Sequence, residues 1–228
     1  MSVTGVGFQL HDTPEALAEV VAARVLEAAR RAIAARGRFV LVAAGGRTPL
    51  QVYARLARAC SDWSRWLVLH GDERCLPVND PERNSHAIAA VWLDPVALPP
   101  NKHLPIPAEL GAEPAARRYA ELIAPLLPFD LVLLGMGEDG HTASLFPGHT
   151  MPEGEALTMA VHQAPKPPAD RVSLTPGALA AGREALVLVS GAGKRKALAR
   201  WRAGASLPVA RVAEAAGAEV LVDAAAWG

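Results

Sequence analysis

Two kinds of hydrophobic spacing alternate along the chain. Leu17, Val20, Val21, Val25, Ala28 and Ala32 recur three or four residues apart, the period of a helix packed on one side. Thr13-Pro14-Glu15 gives that helix its start: a capping hydroxyl, a proline in the first turn and an acid at the positive end of the dipole. Gly37 ends it. RFVLVAA then carries a short unbroken apolar run, as expected of a strand covered on both faces.

The alternation continues to the end of the chain. It predicts a helix from near Pro49 through Val52, Leu56 and Cys60, a strand at WLVLH, and a short helix through Ile88 and Trp92. A helix over Glu113 to Leu127 and a strand at FDLVLLG follow. LTMAVHQ and RVSLT read as strands on either side of the stiff turn PKPP. ALVLVSG is a strand, GKRKALARW begins a helix, and EVLVD is the last strand. Strands alternating with helices predict an α/β fold: a single-domain, doubly wound, Rossmann-like and mostly parallel sheet over residues 1–228, with helices on both faces. No linker-like shift in composition and no fixed-period repeat divides it. Ligands bind such sheets at the carboxyl ends of the strands, so the loops that follow strands are the candidates.

Composition narrows the partners. With 228 residues, 51% of them hydrophobic, the chain can bury a full core. Lys plus Arg and Asp plus Glu both number 23, which argues against a general nucleic-acid binder. Any anion site must be a local cluster of cations. Cys60 and Cys75 form neither a CxxC motif nor a disulfide framework. No apolar run reaches membrane-spanning length, and the start MSVTGVGFQLHDTPE lacks a leader's basic and apolar regions. The expectation is a cytoplasmic protein without a membrane partner.

Four loops carry candidate chemistry. GGRTP, after the first buried strand, offers a close backbone approach and the amide donors of a helix start, which suit phosphate. Taken alone, it is as readily an ordinary strand-to-helix turn. GDERCLPVNDPERN reads as one long polar loop, charge-rich enough to be merely solvated. Cys75 beside Arg74 is discounted as a reactive thiol, since spacing names no base for it.

GMGEDGHTASLFPG is the richest loop. Gly135-x-Gly137-x-x-Gly140 matches the dinucleotide fingerprint, but Glu138 and Asp139 would set two negative charges against a pyrophosphate. Asp139 and His141 make better sense as a carboxylate that orients an imidazole base. Thr142 and Ser144 are expected at the start of a following helix. SGAGKRK fails the P-loop pattern yet presents Lys194 on a glycine-rich turn, and Arg171 follows the PKPP turn. No metal-ligand spacing and no G-x-S-x-G elbow occur. Together these residues suggest acid–base chemistry on a small phosphorylated metabolite.

GGRTP, GDERCLPVNDPERN, DLVLLGMGEDGHTASLFPG and PKPPADRVSLT, in that order and spacing, resemble the 6-phosphogluconolactonase family, with SGAGKRKAL as its late lysine turn. The related glucosamine-6-phosphate deaminases typically carry a tyrosine where this chain has Arg74, and Asn-Glu-Pro where it reads SLFP. Departures from the lactonase pattern are Arg47 in place of a small residue, His70 in place of an aromatic, and Arg83 in place of serine before Asn84.

The resemblance implies hydrolysis of 6-phosphogluconolactone to 6-phosphogluconate in the oxidative pentose phosphate pathway, with no cofactor and no metal. It implies His141 as general base, Asp139 holding it, and Arg74 with amides near Thr142 on the oxyanion. Gly45, Gly46, Thr48, Arg171 and Lys194 would hold the phosphate, with Asp72, Asn84 and Thr142 as further substrate contacts. The expected partner is the phosphorylated sugar lactone alone, met by a monomer or weak homo-oligomer. A deaminase or isomerase, a sugar-phosphate sensor and a nicotinamide-dependent oxidoreductase are the alternatives.

Overall fold

The structure, a computed structural model, describes residues 6–152 and 154–228; the first five residues of the start read for a leader lie outside them. Its strands are β1 (Phe8–His11), β2 (Phe39–Ala43), β3 (Trp66–His70), β4 (Asp72–Arg74) and β5 (His103–Leu104). They continue as β6 (Phe129–Gly135), β7 (Thr158–Val161), β8 (Arg171–Leu174), β9 (Gly182–Val189) and β10 (Glu219–Asp223). The helices are α1 (Pro14–Arg36), α2 (Arg47–Leu56), α3 (Asn84–Ile88), α4 (Ala112–Ile123), α5 (Pro176–Ala180), α6 (Arg195–Arg202), α7 (Pro208–Ala216) and α8 (Ala224–Trp227).

Seven strands form one parallel sheet in the order β1-β10-β9-β6-β2-β3-β5. Its central strands are buried on both sides, which is why they read as continuous apolar runs rather than alternating ones. The two sides still differ. Leu41, Leu131, Leu133, Leu186, Leu188 and Leu221 face the layer of α1 and α2. Val40, Val42, Val132, Val187, Val189, Val220 and Val222 face the layer of α4, α6 and α7. From β2 the chain winds outward through β3 and β5, then returns to β6 on the other flank and continues through β9 to β10. The reversal between β2 and β6 is a topological switch point, where a crevice opens at the carboxyl ends of the strands.

The remaining strands depart from the sequence reading. β7 and β8 do not join the parallel sheet; with β4 they make a separate antiparallel sheet in the order β4-β8-β7. Asp72–Arg74, within GDER, is therefore a strand, not the beginning of a loop. Three residues are too few to show a period, so its charges hid it. β1, at the edge beside β10, was also unread, since its burial is only partial.

Tertiary contacts account for the unusual His70. It is fully buried at the end of β3, with Nε2 2.8 Å from Nε2 of His103 on β5. Burial lowers both imidazole pKa values, that of His70 most strongly, with His103 and Arg83 adding to the effect on His70 and Asp94 opposing it on His103. An unfolded chain takes up protons below about pH 6.5 that these two rings refuse when folded. Stability is thus complete above that pH and lost as pH falls toward the lower folded values. The slope is about 1.4 kcal/mol per pH unit for each ring that stays neutral. Urea titrations at descending pH should show this loss, and His103→Gln should flatten it; an unchanged slope in that variant would refute the assignment.

Candidate active site

Three adjacent strands, β9, β6 and β2, send their following turns to the same edge, and the short β4 and β8 close the space above them. The result is a cavity of about 480 Å³ at the switch point. Gly45, Gly46, Thr48, Asp72, Arg74, Asn84, His141, Arg171 and Lys194 all line it. Segments far apart in sequence thus meet as the strand-end rule requires. Asp139 and Thr142 are not among its lining residues.

The His141 loop is built around its imidazole. A Cβ on Gly137 would overlap the His141 ring, and Gly140 holds φ +90°, a left-handed conformation that only glycine adopts freely. Gly137 makes room for the histidine, and Gly140 turns the chain where a Cβ would strike Leu207. No helix follows, contrary to the expectation for Thr142 and Ser144. Thr142 instead bridges back to Leu145, and Ala143 sits at φ 47°. Without a following helix, and with its glycines used otherwise, the loop does not build the turn that a dinucleotide fingerprint describes.

His141 Nδ1 lies 2.5 Å from Asp139 Oδ1, and its backbone N–H donates to the same oxygen at 3.1 Å. Burial alone would raise the Asp139 pKa. The hydrogen bonds from the His141 ring and backbone outweigh burial and hold the carboxyl well below the usual carboxylate range. An ionised Asp139 accepts only, so Nδ1 is the donor, and in the neutral ring the lone pair then falls on Nε2. Phe146 supports the ring from the side, with centroids 4.8 Å apart.

Asp72 and Arg74 alternate outward from β4 into the cavity. Ser144 Oγ donates to Asp72 Oδ2 at 2.6 Å, and Asn84 Nδ2 donates to its Oδ1 at 3.1 Å. A Cβ on Gly45 would overlap the Asn84 carboxamide, so this glycine serves side-chain approach. Arg74 stands directly across the antiparallel ladder from Arg171. Two like charges in register are unfavourable unless an anion lies between or beside them. Burial lowers the Arg171 pKa, Arg74 adds to this, and Asp72 opposes it. Arg171 spends Nε and Nη2 on the carbonyls of Lys166, Pro167 and Pro168, at 2.9 to 3.2 Å, and so shapes the PKPP turn while lying over Phe146.

On the opposite side, α2 begins at Gly46 with no side-chain cap, leaving its first-turn amides directed at the cavity edge. The turn after β9 is held by Asp223, which accepts from Ser190 Oγ at 2.6 Å and from the Gly191 amide at 3.0 Å. Lys194 stands on that turn. Burial lowers its pKa, Lys166 and Arg47 add repulsion, and Glu138 opposes them. Four cations therefore gather around the glycine turns: Arg47, Lys166, Arg171 and Lys194.

Sequence reasoning missed two of these cations as site members. Arg47 was noted only as a departure, although it is the first residue of α2. Lys166 lies within the quoted PKPP turn, and a cation between prolines was the available signal. Cys75 lacks the setting of an activated thiol: burial first, then Asp170, pushes its pKa up to about 11. Among the described residues no group of three or more His, Cys, Asp or Glu is arranged to hold a metal ion, and no helix is long and apolar enough to cross a membrane.

Comparison with known proteins places this geometry in a lineage. The family described as glucosamine-6-phosphate isomerases/6-phosphogluconolactonase matches residues 12–222. A 6-phosphogluconolactonase of Streptomyces coelicolor is 40% identical over 215 residues, covering 86% of this chain and 82% of that protein. One from Mycobacterium leprae is 36% identical over 205 residues, covering 82% and 83%. The crystal structure of a 6-phosphogluconolactonase from Thermotoga maritima superposes with a TM-score of 0.86 at 27% identity, covering 96% of this chain and 99% of the other.

Proposed function

The chain belongs to the glucosamine-6-phosphate isomerase/6-phosphogluconolactonase family, and from that premise we propose that it hydrolyses 6-phosphogluconolactone to 6-phosphogluconate in the oxidative pentose phosphate pathway. The observation that carries the reading is the Asp139–His141 pair facing a cavity rimmed by cations. His141 Nε2 takes a proton from water as the water attacks the lactone carbonyl. Arg74 stabilises the oxyanion that develops, a contact typically worth about 2.7–4 kcal/mol. The ring C–O bond then breaks, and the imidazolium returns its proton to the departing oxygen. Asp139 keeps the ring in the tautomer this requires. Thr142 contributes through the turn behind His141.

The phosphate lies on Gly45, Gly46 and Thr48, with Arg171 and Lys194 supplying charge. Asp72 and Asn84 meet the sugar hydroxyls. One domain over residues 1–228 performs the reaction without cofactor or metal. It works in the cytoplasm as a monomer or weak homo-oligomer, on a small molecule and with no nucleic-acid or membrane partner.

The test is proton release from freshly generated 6-phosphogluconolactone, with spontaneous opening subtracted, beside an ammonia assay with glucosamine 6-phosphate. Rapid lactone hydrolysis and no ammonia are expected, because Arg74 and SLFP stand where deaminases carry other groups. Ammonia at a comparable rate would reverse the assignment.

A further inference from the structure

Glu73 is a fully buried carboxylate outside the set of groups that line the cavity. Its neighbours Asp72 and Arg74 point into the cavity, so strand alternation turns Glu73 the other way, beneath the loop that returns to α3. There it meets three backbone donors. Its Oε1 accepts from the Arg74 amide at 2.9 Å and the Asn84 amide at 2.7 Å, and its Oε2 accepts from the Ser85 amide at 2.8 Å. Arg83, only 2% exposed, completes the set with Nε 3.5 Å from Oε2. The other guanidinium nitrogens are anchored on Ile106 O at 2.7 Å and Glu109 at 2.8 Å.

The residue before α3, Arg83, gives that helix no side-chain cap. Glu73 supplies one from ten residues upstream, and the same carboxylate fixes the peptide of Arg74. One side chain thus sets the spacing between two groups that face the ligand. Asn84 then reaches Asp72 from its own side, closing a frame of β4, α3 and the cavity wall. A carboxylate accepting several amides holds them more firmly than a neutral group would.

We propose that Glu73 is a positioning residue for lactone hydrolysis, acting through Arg74 and Asn84, with Arg83 as its buried counter-ion. This rests on the pocket being a lactone site. Glu73→Gln turns an amide donor toward either the Ser85 amide or its companions, breaking part of the clamp while conserving volume. It should lower kcat/KM by roughly 10- to 100-fold, the scale of a small misplacement of reacting groups. The inhibition constant of inorganic phosphate should stay unchanged, since the phosphate end rests on other turns.

The decisive comparison is in an Arg74→Ala/Asn84→Ala background, where Glu73→Gln should change kcat/KM by less than about twofold. A further tenfold loss there would overturn action through those two side chains. Glu73→Asp keeps the charge but shortens the reach; it should show the same pattern and serves if the Gln variant does not fold. Amide exchange reads the clamp without any substrate. Asn84 and Ser85 should lose protection in Glu73→Gln, and unchanged exchange would overturn the clamp itself. A wild type inactive on the lactone would instead overturn the function assigned to the pocket, and with it the catalytic half of this proposal.

Discussion

Replacing His141 with alanine is expected to lower kcat by roughly 10²–10⁴, the usual contribution of a general base. KM should hardly move, because the phosphate turns lie on β2 and β9 rather than on the His141 loop. The wild-type kcat/KM should fall in acid as Nε2 gains a proton and loses the lone pair that accepts from water. His141→Ala should lose that acid limb together with its rate. Asp139→Asn should reduce the same parameter less, since it disturbs the tautomer without removing the base. Stopped-flow proton release, corrected for spontaneous lactone opening, measures all three. An alanine variant with near wild-type kcat and an intact acid limb would end this mechanism and direct attention to Asp72.

Lys194→Ala should act on the other parameter. A hydrogen bond to a charged group contributes about 1.5–3 kcal/mol, so KM should rise roughly 10- to 150-fold with kcat little changed. Burial and the repulsion of Lys166 and Arg47 already disfavour the charge on this ammonium in the free protein, and a dianionic phosphate reverses that balance. Inorganic phosphate should therefore compete with substrate, more weakly for the variant. Arg171→Ala should raise KM too, but with a loss of thermal stability, because its guanidinium also folds the PKPP turn. Wild-type KM in both variants would mean that the phosphate lies elsewhere.

The main sheet was legible in the sequence because its strands are buried on both faces and so announce themselves without reference to partners. Helix α1 was equally plain, with Thr13 accepting from the Ala16 amide and Gly37 closing the end in the left-handed region. The second sheet was hidden. β4 is three residues of charge, and only pairing with β8 makes it a strand. Among site residues, Asp139 and His141 were readable because their interaction is local, two residues apart. Glu73 was not, since apart from the adjacent Arg74 amide its partners lie ten or more residues downstream, and the sequence shows only another acid in an acidic stretch. Thr142 was placed on a helix that does not form, because Ala143 turns the chain into a positive-φ bend that no glycine marks.

Two fully buried tyrosines were silent as well. Tyr53 OH bonds both the N–H and the C=O of Ala44, at 2.9 and 3.0 Å, and Tyr119 OH does the same for His70, at 2.8 and 3.2 Å. Each satisfies a peptide just where its strand stops and the ladder can no longer do so.

The cavity takes its glycine turns from the parallel sheet and Asp72, Arg74 and Arg171 from the antiparallel one. The two sets belong to separate hydrogen-bonded ladders, and they can diverge at different rates. Substitutions on β4 can redraw the wall proposed to meet the sugar ring while the glycine turns and Lys194 proposed to hold its phosphate persist. On the proposed assignment of the site, a lineage built this way can exchange one phosphorylated sugar for another without first surrendering its grip on the shared anion, which makes β4 the place to look for altered substrate choice among relatives of this chain.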